Sequence, residues 1–421
     1  MGSKLIILLV IILAVLAIAQ LVRVNELTAK HAKRKEEDIP HRDNIFNANM
    51  MLAFMIFLYV GFIWLIVKYG YMEMGPPATV HGEGIDWLMN LNLVIITVVF
   101  FLTNTLLFMF AWKYVKRPGV KAFYYPHNNK LEMIWTVIPA AVLAVIIILG
   151  LRTWNDITTK ASPESENIEI FSYQFGWTAR YSGQNNQLGK FDYKLTTAEN
   201  QYGLMTKENI EAALEGMRVG SPGQEGIQLL EEKLNDPKLV MARSERDELR
   251  EELDRKERMA RLLEAMSITY NDSLDQLVND DVIVGDSLVL LKGQQYNFSF
   301  RSKDVIHSAY FPHFRAQMNT VPGMTTYFKL QPIYTSQEMK TLMKDDNFEY
   351  ILMCNKICGG SHYKMKMAVR VLGPEEYLAW QKTKTTYDGS PWLNFSESER
   401  AEKEAELLER YRSIAASVAK K

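Results

Sequence analysis

Cysteine is almost absent: the 421-residue chain has two, Cys354 and Cys358, four positions apart. So few thiols cannot form a disulfide framework, and a pair at this spacing suits metal binding or redox chemistry better. Charge of one sign is also lacking. Lys and Arg number 48 against 49 Asp and Glu, so no basic field marks a nucleic-acid partner. Histidine is scarce, with seven in the chain, of which only His307, His313 and His362 fall in its polar part. That excludes a histidine-rich catalytic cluster. Cys-x2-Cys-His does not occur, so no haem is attached and no c-type cytochrome is fused to the chain.

Long apolar runs are plentiful, but only in the first third. A hydrocarbon core of about 30 Å needs roughly 20 apolar residues as helix. Leu5–Val22, Met50–Val67, Leu91–Trp112 and Met133–Leu151 each approach that. Leu5–Val22 opens beside a lysine, as a secretory signal does, yet its apolar run is long and Ala17-Ile18-Ala19 is a feeble cleavage cue. It is read as an uncleaved span. Loop charges set the orientation. Arg23, Lys30, Lys33, Arg34, Lys35 and Arg42 mark the first loop as cytoplasmic, and the loop Tyr69–Asp86 has no Lys or Arg. Lys113, Lys116, Arg117, Lys121 and Lys130 put the third loop inside again, so everything after Trp154 lies on the outer face. In a bacterium this is an inner-membrane, multi-pass protein with a periplasmic domain. Pro139 should kink the last span. Glu132, at its cytoplasmic end, reads either as an interfacial carboxylate or as a group that admits protons.

Beyond Asn167 the pattern becomes aromatic-rich and alternating. Ile168–Tyr181, Phe191–Leu195, Ser287–Leu291, Tyr296–Arg301, Thr325–Leu330, Phe348–Met353 and Lys366–Val371 read as strands of a Greek-key sandwich or barrel. Ala198–Met266 interrupts them with polar sequence at helical spacing, predicting a helical hairpin with Gly220–Gly226 at its tip. Ser396–Lys421 predicts a charged helix with Leu407, Leu408 and Tyr411 on one side. The expected organisation is two N-terminal transmembrane helices (1–82), a transmembrane hairpin (83–156), an all-β domain (157–197 and 281–382), a mainly helical insertion (198–280) and a tail (383–421).

Between Cys354 and Met365 the sequence Cys-Asn-Lys-Ile-Cys-Gly-Gly-Ser-His-Tyr-Lys-Met offers two thiolates, the His362 imidazole and a thioether. Soft sulfur with imidazole selects copper or zinc over hard cations. Cys-x3-Cys-x3-His-x2-Met differs from the Cys-x2-Cys of zinc ribbons. Upstream, Asp304-Val-Ile-His307, just past the end of an expected strand, supplies a second imidazole, with His313 as a substitute placed next to a turn at Phe311-Pro312. These ligands outnumber those of one blue-copper site and suit two coppers bridged by both thiolates; a Cys2His2 zinc site is the alternative.

At these residues the chain resembles the cytochrome c oxidase subunit II family. The resemblance covers Asp86–Trp154, with Leu131-Glu-Met-Ile-Trp-Thr-Val-Ile-Pro-Ala140, and Ile168–Tyr181 with Ser287–Trp380, with Asp-Val-Ile-His-Ser, Val321-Pro-Gly323 and the Cys-x3-Cys-Gly loop. It implies a membrane-anchored cupredoxin domain holding a binuclear copper centre, CuA. The implied ligands are His307, Cys354, Cys358, His362, Met365 and the backbone carbonyl of Lys356. It also implies that Glu132 stands at the mouth of a proton pathway in subunit I. Three positions depart from the family pattern. Lys356 replaces the Glu that reaches a magnesium shared with subunit I, so the magnesium bridge lacks its carboxylate here. Phe175 replaces the tryptophan credited with receiving electrons in Gln174-Phe-Gly-Trp177, which shifts that role toward Trp177 or Tyr173. Asn319 replaces a common acidic docking residue.

The function implied is transfer of electrons from a c-type cytochrome to haem and copper in subunit I, where oxygen becomes water and protons are translocated. The thinned acidic patch points to a donor that is membrane-tethered, less basic or held in a respiratory supercomplex. The alternative is a membrane-anchored copper-binding or delivery protein without turnover. Nitrous oxide reductase, which uses a similar dicopper domain, is excluded by the shortage of histidine.

Overall fold

The computed structural model describes residues 2–31, 40–70 and 75–418. Lys33, Arg34 and Lys35 of the first basic loop, and the last three positions of the expected tail helix, lie outside them. The chain divides into two compact units, one of residues 1–73 with Leu91–Val142 and one of residues 74–90 with Leu143–Lys421.

The first part is helical: α1 (Gly2–His31), α2 (His41–Tyr69), α3 (Val80–Lys113) and α4 (Asn129–Thr158). Of these, α2, α3 and α4, with 29, 34 and 30 residues, are long and apolar enough to cross a bilayer. The first expected span, Leu5–Val22, lies in α1, where the side chains before Val10 fall outside the described residues. Tyr59 on α2 packs against Phe101 of α3, and its hydroxyl lies 2.8 Å from Thr105 Oγ1, satisfying a polar group that lipid could not.

The second unit is a β-sandwich. Its first strands, β1 (Glu166–Tyr173) and β2 (Gly176–Tyr181), are antiparallel and joined by a tight turn at Gln174-Phe175, so the expected single strand Ile168–Tyr181 folds back on itself. Phe191–Leu195 is not a strand. Asp192 caps a 3-10 turn there by accepting from Lys194 N, and Phe191 keeps only an isolated bridge to Leu204. The polar excursion then forms α5 (Lys207–Arg218), a small hairpin of β3 (Gly220–Ser221) and β4 (Gln224–Glu225), α6 (Ile227–Asn235), the long α7 (Arg243–Thr269) and the short α8 (Asp275–Asn279). Gly220, at φ +108, makes the hairpin that links α5 to α6. Leu195, Ile210, Ala213 and Leu263 give the excursion a small core of its own.

The remaining strands are β5 (Val282–Val284), β6 (Ser287–Leu291), β7 (Tyr296–Ser302), β8 (His307–Phe311), β9 (Ala316–Thr320), β10 (Thr326–Leu330), β11 (Tyr350–Cys354) and β12 (Lys366–Leu372). One sheet runs β10-β7-β1-β2-β5 and the other β6-β12-β11-β8-β9. Ile168, Ile170, Phe298, Phe300, Leu288 and Leu352 fill the space between them. Strand β6 is buried at every position because each of its faces has a cover. Leu288 and Leu290 point into the sandwich, while Val289 and Leu291 pack under α10 (Pro374–Gln381) and α11 (Arg400–Val418) through Tyr377, Leu378 and Tyr411. A Cβ on Gly293 would fall 2.4 Å from the Ile414 carbonyl oxygen, so the tail helix lies directly on the backbone there.

On the outer face of the first sheet Glu169 accepts from Arg180 Nε and Nη2 at 3.1 and 2.9 Å, and from Arg301 Nε and Nη2 at 2.7 Å each. Arg180 continues to Asp281 Oδ2 at 2.5 Å and to the Gly189 carbonyl at 3.0 Å, and Arg301 to the Tyr202 carbonyl at 3.1 Å. The network thus fastens the excursion to the sheet. Burial opposes the charge on Glu169, but the two guanidiniums outweigh it and hold the carboxyl at about 2. Its folded-state value lies below the ordinary one, so its stabilisation is present above the usual carboxylate range and is lost as pH falls through about 2. Glu169→Gln leaves two buried cations short of a partner and should destabilise the unit by about 3–5 kcal/mol. Thermal unfolding of the full chain in detergent checks this; an unaltered midpoint would contradict it.

Candidate metal centre

Two strand ends and one loop make the centre. His307 lies just past the end of β7, as the sequence placed it, and opens β8, and Cys354 closes β11. These strands are paired, with Cys354 opposite Ala309, so the two residues arrive at the same end of the sheet. The chain then loops out and returns as β12. Cys354 N donates to Met365 O at 3.0 Å, closing the loop and setting the thioether beside the thiols. Inside it, a turn at His362–Lys364 directs the second imidazole inward, and Gly359 adopts φ +139. A side chain at Gly359 would meet Gln174 Nε2 and the Phe175 ring at 2.9 Å.

Six donors converge. Cys354 Sγ lies 3.8 Å from Cys358 Sγ, 3.9 Å from His307 Nδ1 and 3.1 Å from the carbonyl oxygen of Lys356. Cys358 Sγ lies 3.5 Å from His362 Nδ1 and 3.7 Å from Met365 Sδ. His307 is fully buried, Met365 is 1% exposed, and both thiols are buried. The sulfur separation is far longer than a disulfide bond of about 2.05 Å. His307, Cys354 and Cys358 bring their ligand atoms within 4.8 Å of one another; His362 stands outside that group although it touches Cys358. Each sulfur therefore has its own imidazole and its own weak donor, a spread wider than one tetrahedral ion requires.

Burial, with the Cys354 thiol beside it, pushes the Cys358 thiol up to about 11, so in the metal-free chain it keeps its proton at neutral pH. A bound cation would favour its thiolate.

A surrounding shell holds the ligands. His307 Nε2 donates to Asp304 Oδ1 at 2.9 Å, which leaves Nδ1 free to face the sulfurs. Asp304 Oδ2 accepts from Gln174 N at 2.7 Å, and Gln174 Nε2 donates to Cys358 O at 2.5 Å, so the β1–β2 turn braces both sides of the cluster. Burial works against a charged Asp304, but the hydrogen bonds from His307, Gln174 N and Val305 N outweigh it and lower its carboxyl. No role for Asp304 or Gln174 was legible in the sequence. A carboxylate three residues before a ligating histidine was the available signal.

The aromatic candidates separate. Trp177 is 3% exposed, its ring 6.1 Å from that of His307, and its indole N–H has no hydrogen-bond partner among the described residues. Phe175 is 37% exposed and lies against Gly359. Tyr173 folds over Gly176. His313 sits in the turn after β8 against the Phe348 and Tyr350 rings rather than among the ligands. Glu132 belongs to the other unit, in the first turn of α4, where it accepts a hydrogen bond from Asn128 N at 3.3 Å.

Comparison with known proteins points one way. The family described as "Cytochrome C oxidase subunit II, transmembrane domain" matches residues 68–153. The "Alternative cytochrome c oxidase subunit 2" of Bradyrhizobium diazoefficiens is 27% identical over 318 residues, 75% of this chain and 84% of its own. The "Cytochrome c oxidase subunit 2" of Cereibacter sphaeroides is 22% identical over 306 residues, covering 72% and 77%. A crystal structure of the periplasmic domain of subunit II of a Bradyrhizobium japonicum cytochrome oxidase aligns over 53% of this chain and 93% of its own, at 15% identity and a TM-score of 0.25.

Removing the Asp304 carboxylate frees the His307 ring to turn. Asp304→Ala should weaken copper binding by the full chain about 10–100-fold, measured by competition with a chelator of known affinity. Equal affinity in mutant and wild type would deny Asp304 this orienting role.

Proposed function

We propose that this chain, which belongs to the cytochrome c oxidase subunit II family, accepts electrons one at a time from a c-type cytochrome at a binuclear copper centre and passes them to haem and copper in subunit I, where oxygen is reduced to water with proton translocation. The carrying observation is the six-donor cluster, in which two sulfurs 3.8 Å apart each have a separate imidazole. When bound, copper supplies a one-electron couple whose change of charge is spread over two ions.

The protein's part is to hold those ions still. Cys354, Cys358, His307 and His362 would hold them, and Met365 with the Lys356 carbonyl would complete the set as weak donors. Donors anchored on paired strand ends move little when the charge changes, and burial keeps water from adding its own reorganisation. Asp304 fixes the His307 tautomer. Phe175 gives the cluster an exposed aromatic edge, and Trp177 packs behind His307.

The membrane helices and the positive-inside pattern support an inner-membrane protein of a bacterium with the copper domain in the periplasm, assembled with subunit I and other oxidase subunits. Glu132, beside the cytoplasmic end of α4, would stand at the mouth of a proton path in that assembly. A copper-delivery protein is the weaker reading, since it must release its ion, and a fully buried His307 with Met365 at 1% exposure opposes exchange.

Cys354→Ser removes one of the two sulfur donors. The full chain should then bind fewer than two coppers and lose the visible and near-infrared bands of a mixed-valence pair, while two coppers with unaltered colour would refute the assignment. In the assembled oxidase Glu132→Ala should slow steady-state turnover about 10-fold or more and leave copper reduction fast. Equal turnover in mutant and wild type would remove Glu132 from the proton path.

A further inference from the structure

We infer that the surface around Phe175 and Tyr363 receives an acidic electron-carrier protein, an inference that rests on the dicopper reading of the neighbouring cluster. The centre has two dissimilar flanks. On one, Gln174 N donates to Asp304 Oδ2 and Gln174 Nε2 to Cys358 O, and the Phe175 ring closes on Gly359. The turn at 174–175, the segment 303–306 and the limb 359–364 thus make one continuous surface. On the other flank, Asn355 N donates to Ser308 O and Asn355 Nδ2 to Gln317 Oε1, so the first limb of the loop rests on β8 and β9.

The first surface is apolar at its centre. Tyr363 is 76% exposed, Ile306 43%, and Val305 and Phe175 37% each. Exposed apolar side chains on segments that adjoin His307 and carry His362 suit a protein that presents an apolar edge and excludes water on contact. Its charge leans positive. Segments 174–175, 303–306 and 359–364 carry Lys303 and Lys364, both exposed, against one carboxylate, Asp304. That carboxylate is engaged by His307 Nε2, Gln174 N and Val305 N. Lys364 Nζ stays 5.6 Å from the centre of the Tyr363 ring, which places a cation at the edge of the apolar centre. A rim of lysines attracts a carboxylate-rimmed partner and repels a lysine-rimmed one, so the donor that docks fastest here is acidic.

The test uses the oxidase complex purified from membranes in mild detergent and two oxidised c-type cytochromes, one acidic and one basic. Dissociation constants are measured over a range of salt, followed by kcat/KM with the reduced proteins. The acidic cytochrome should bind about tenfold tighter or better at low salt and lose that advantage as salt rises. The Lys303→Glu, Lys364→Glu double variant should weaken it about tenfold and strengthen binding of the basic cytochrome, a gain that misfolding cannot produce. Tighter binding of the basic cytochrome by the unaltered complex, or constants that the double variant does not move, would overturn the inference. Copper content and the mixed-valence spectrum of the same preparations separate the two claims. Their absence removes the dicopper reading and this inference with it; with both intact, only the docking claim is at stake.

Discussion

Two thiols held 3.8 Å apart in a largely apolar pocket are the constraint on which this molecule turns. A buried thiolate is costly, and a second one beside it more so, which is why the Cys358 thiol is pushed to about 11 without metal. The proposed copper pair would cancel both charges. The neighbours suit that proposal: two imidazoles whose Nδ1 atoms face the sulfurs, a thioether and a carbonyl that add no charge, and one carboxylate set behind His307 rather than against the sulfurs.

The fold meets this requirement by strand pairing. Because β8 and β11 are hydrogen-bonded neighbours, the start of one and the end of the other meet without any added device, and the Cys354 N–Met365 O bond fixes the returning limb. The outer layers protect that alignment. Helices α10 and α11 cover the back of β6, and the Glu169 network ties the excursion to β1, β2 and β7. The β1–β2 turn is the link between scaffold and site, since Gln174 there touches both Asp304 and the Cys358 carbonyl.

The parts legible in the sequence were those that short-range pattern encodes. Apolar runs of bilayer length gave α2, α3 and α4, and alternation gave β6, β7, β10, β11 and β12. The dense ligand spacing of Cys354, Cys358, His362 and Met365 stood out because the rest of the chain has so little sulfur-imidazole chemistry. Other features depend on partners distant in sequence. Strands β8 and β9 were missed because their Ser, Ala, Gln and Asn lack β signal and are held by sheet neighbours. Phe191–Leu195 carried strand-like residues but was claimed by a local cap and by Arg301 stacking 3.5 Å over the Phe191 ring. The covering role of α11 was hidden because Tyr411 finds Tyr377 only in three dimensions. Asp304 and Gln174 acquire meaning only when the turn and the metal loop are adjacent.

The most direct measurement is electron paramagnetic resonance of the copper-loaded full chain after one-electron oxidation. One electron shared equally between two copper nuclei gives a hyperfine pattern with more lines than a single nucleus can produce, and that shared pattern is the predicted result. A pattern from one copper nucleus, or a chain that prefers a single zinc ion and gives no signal, would contradict the account.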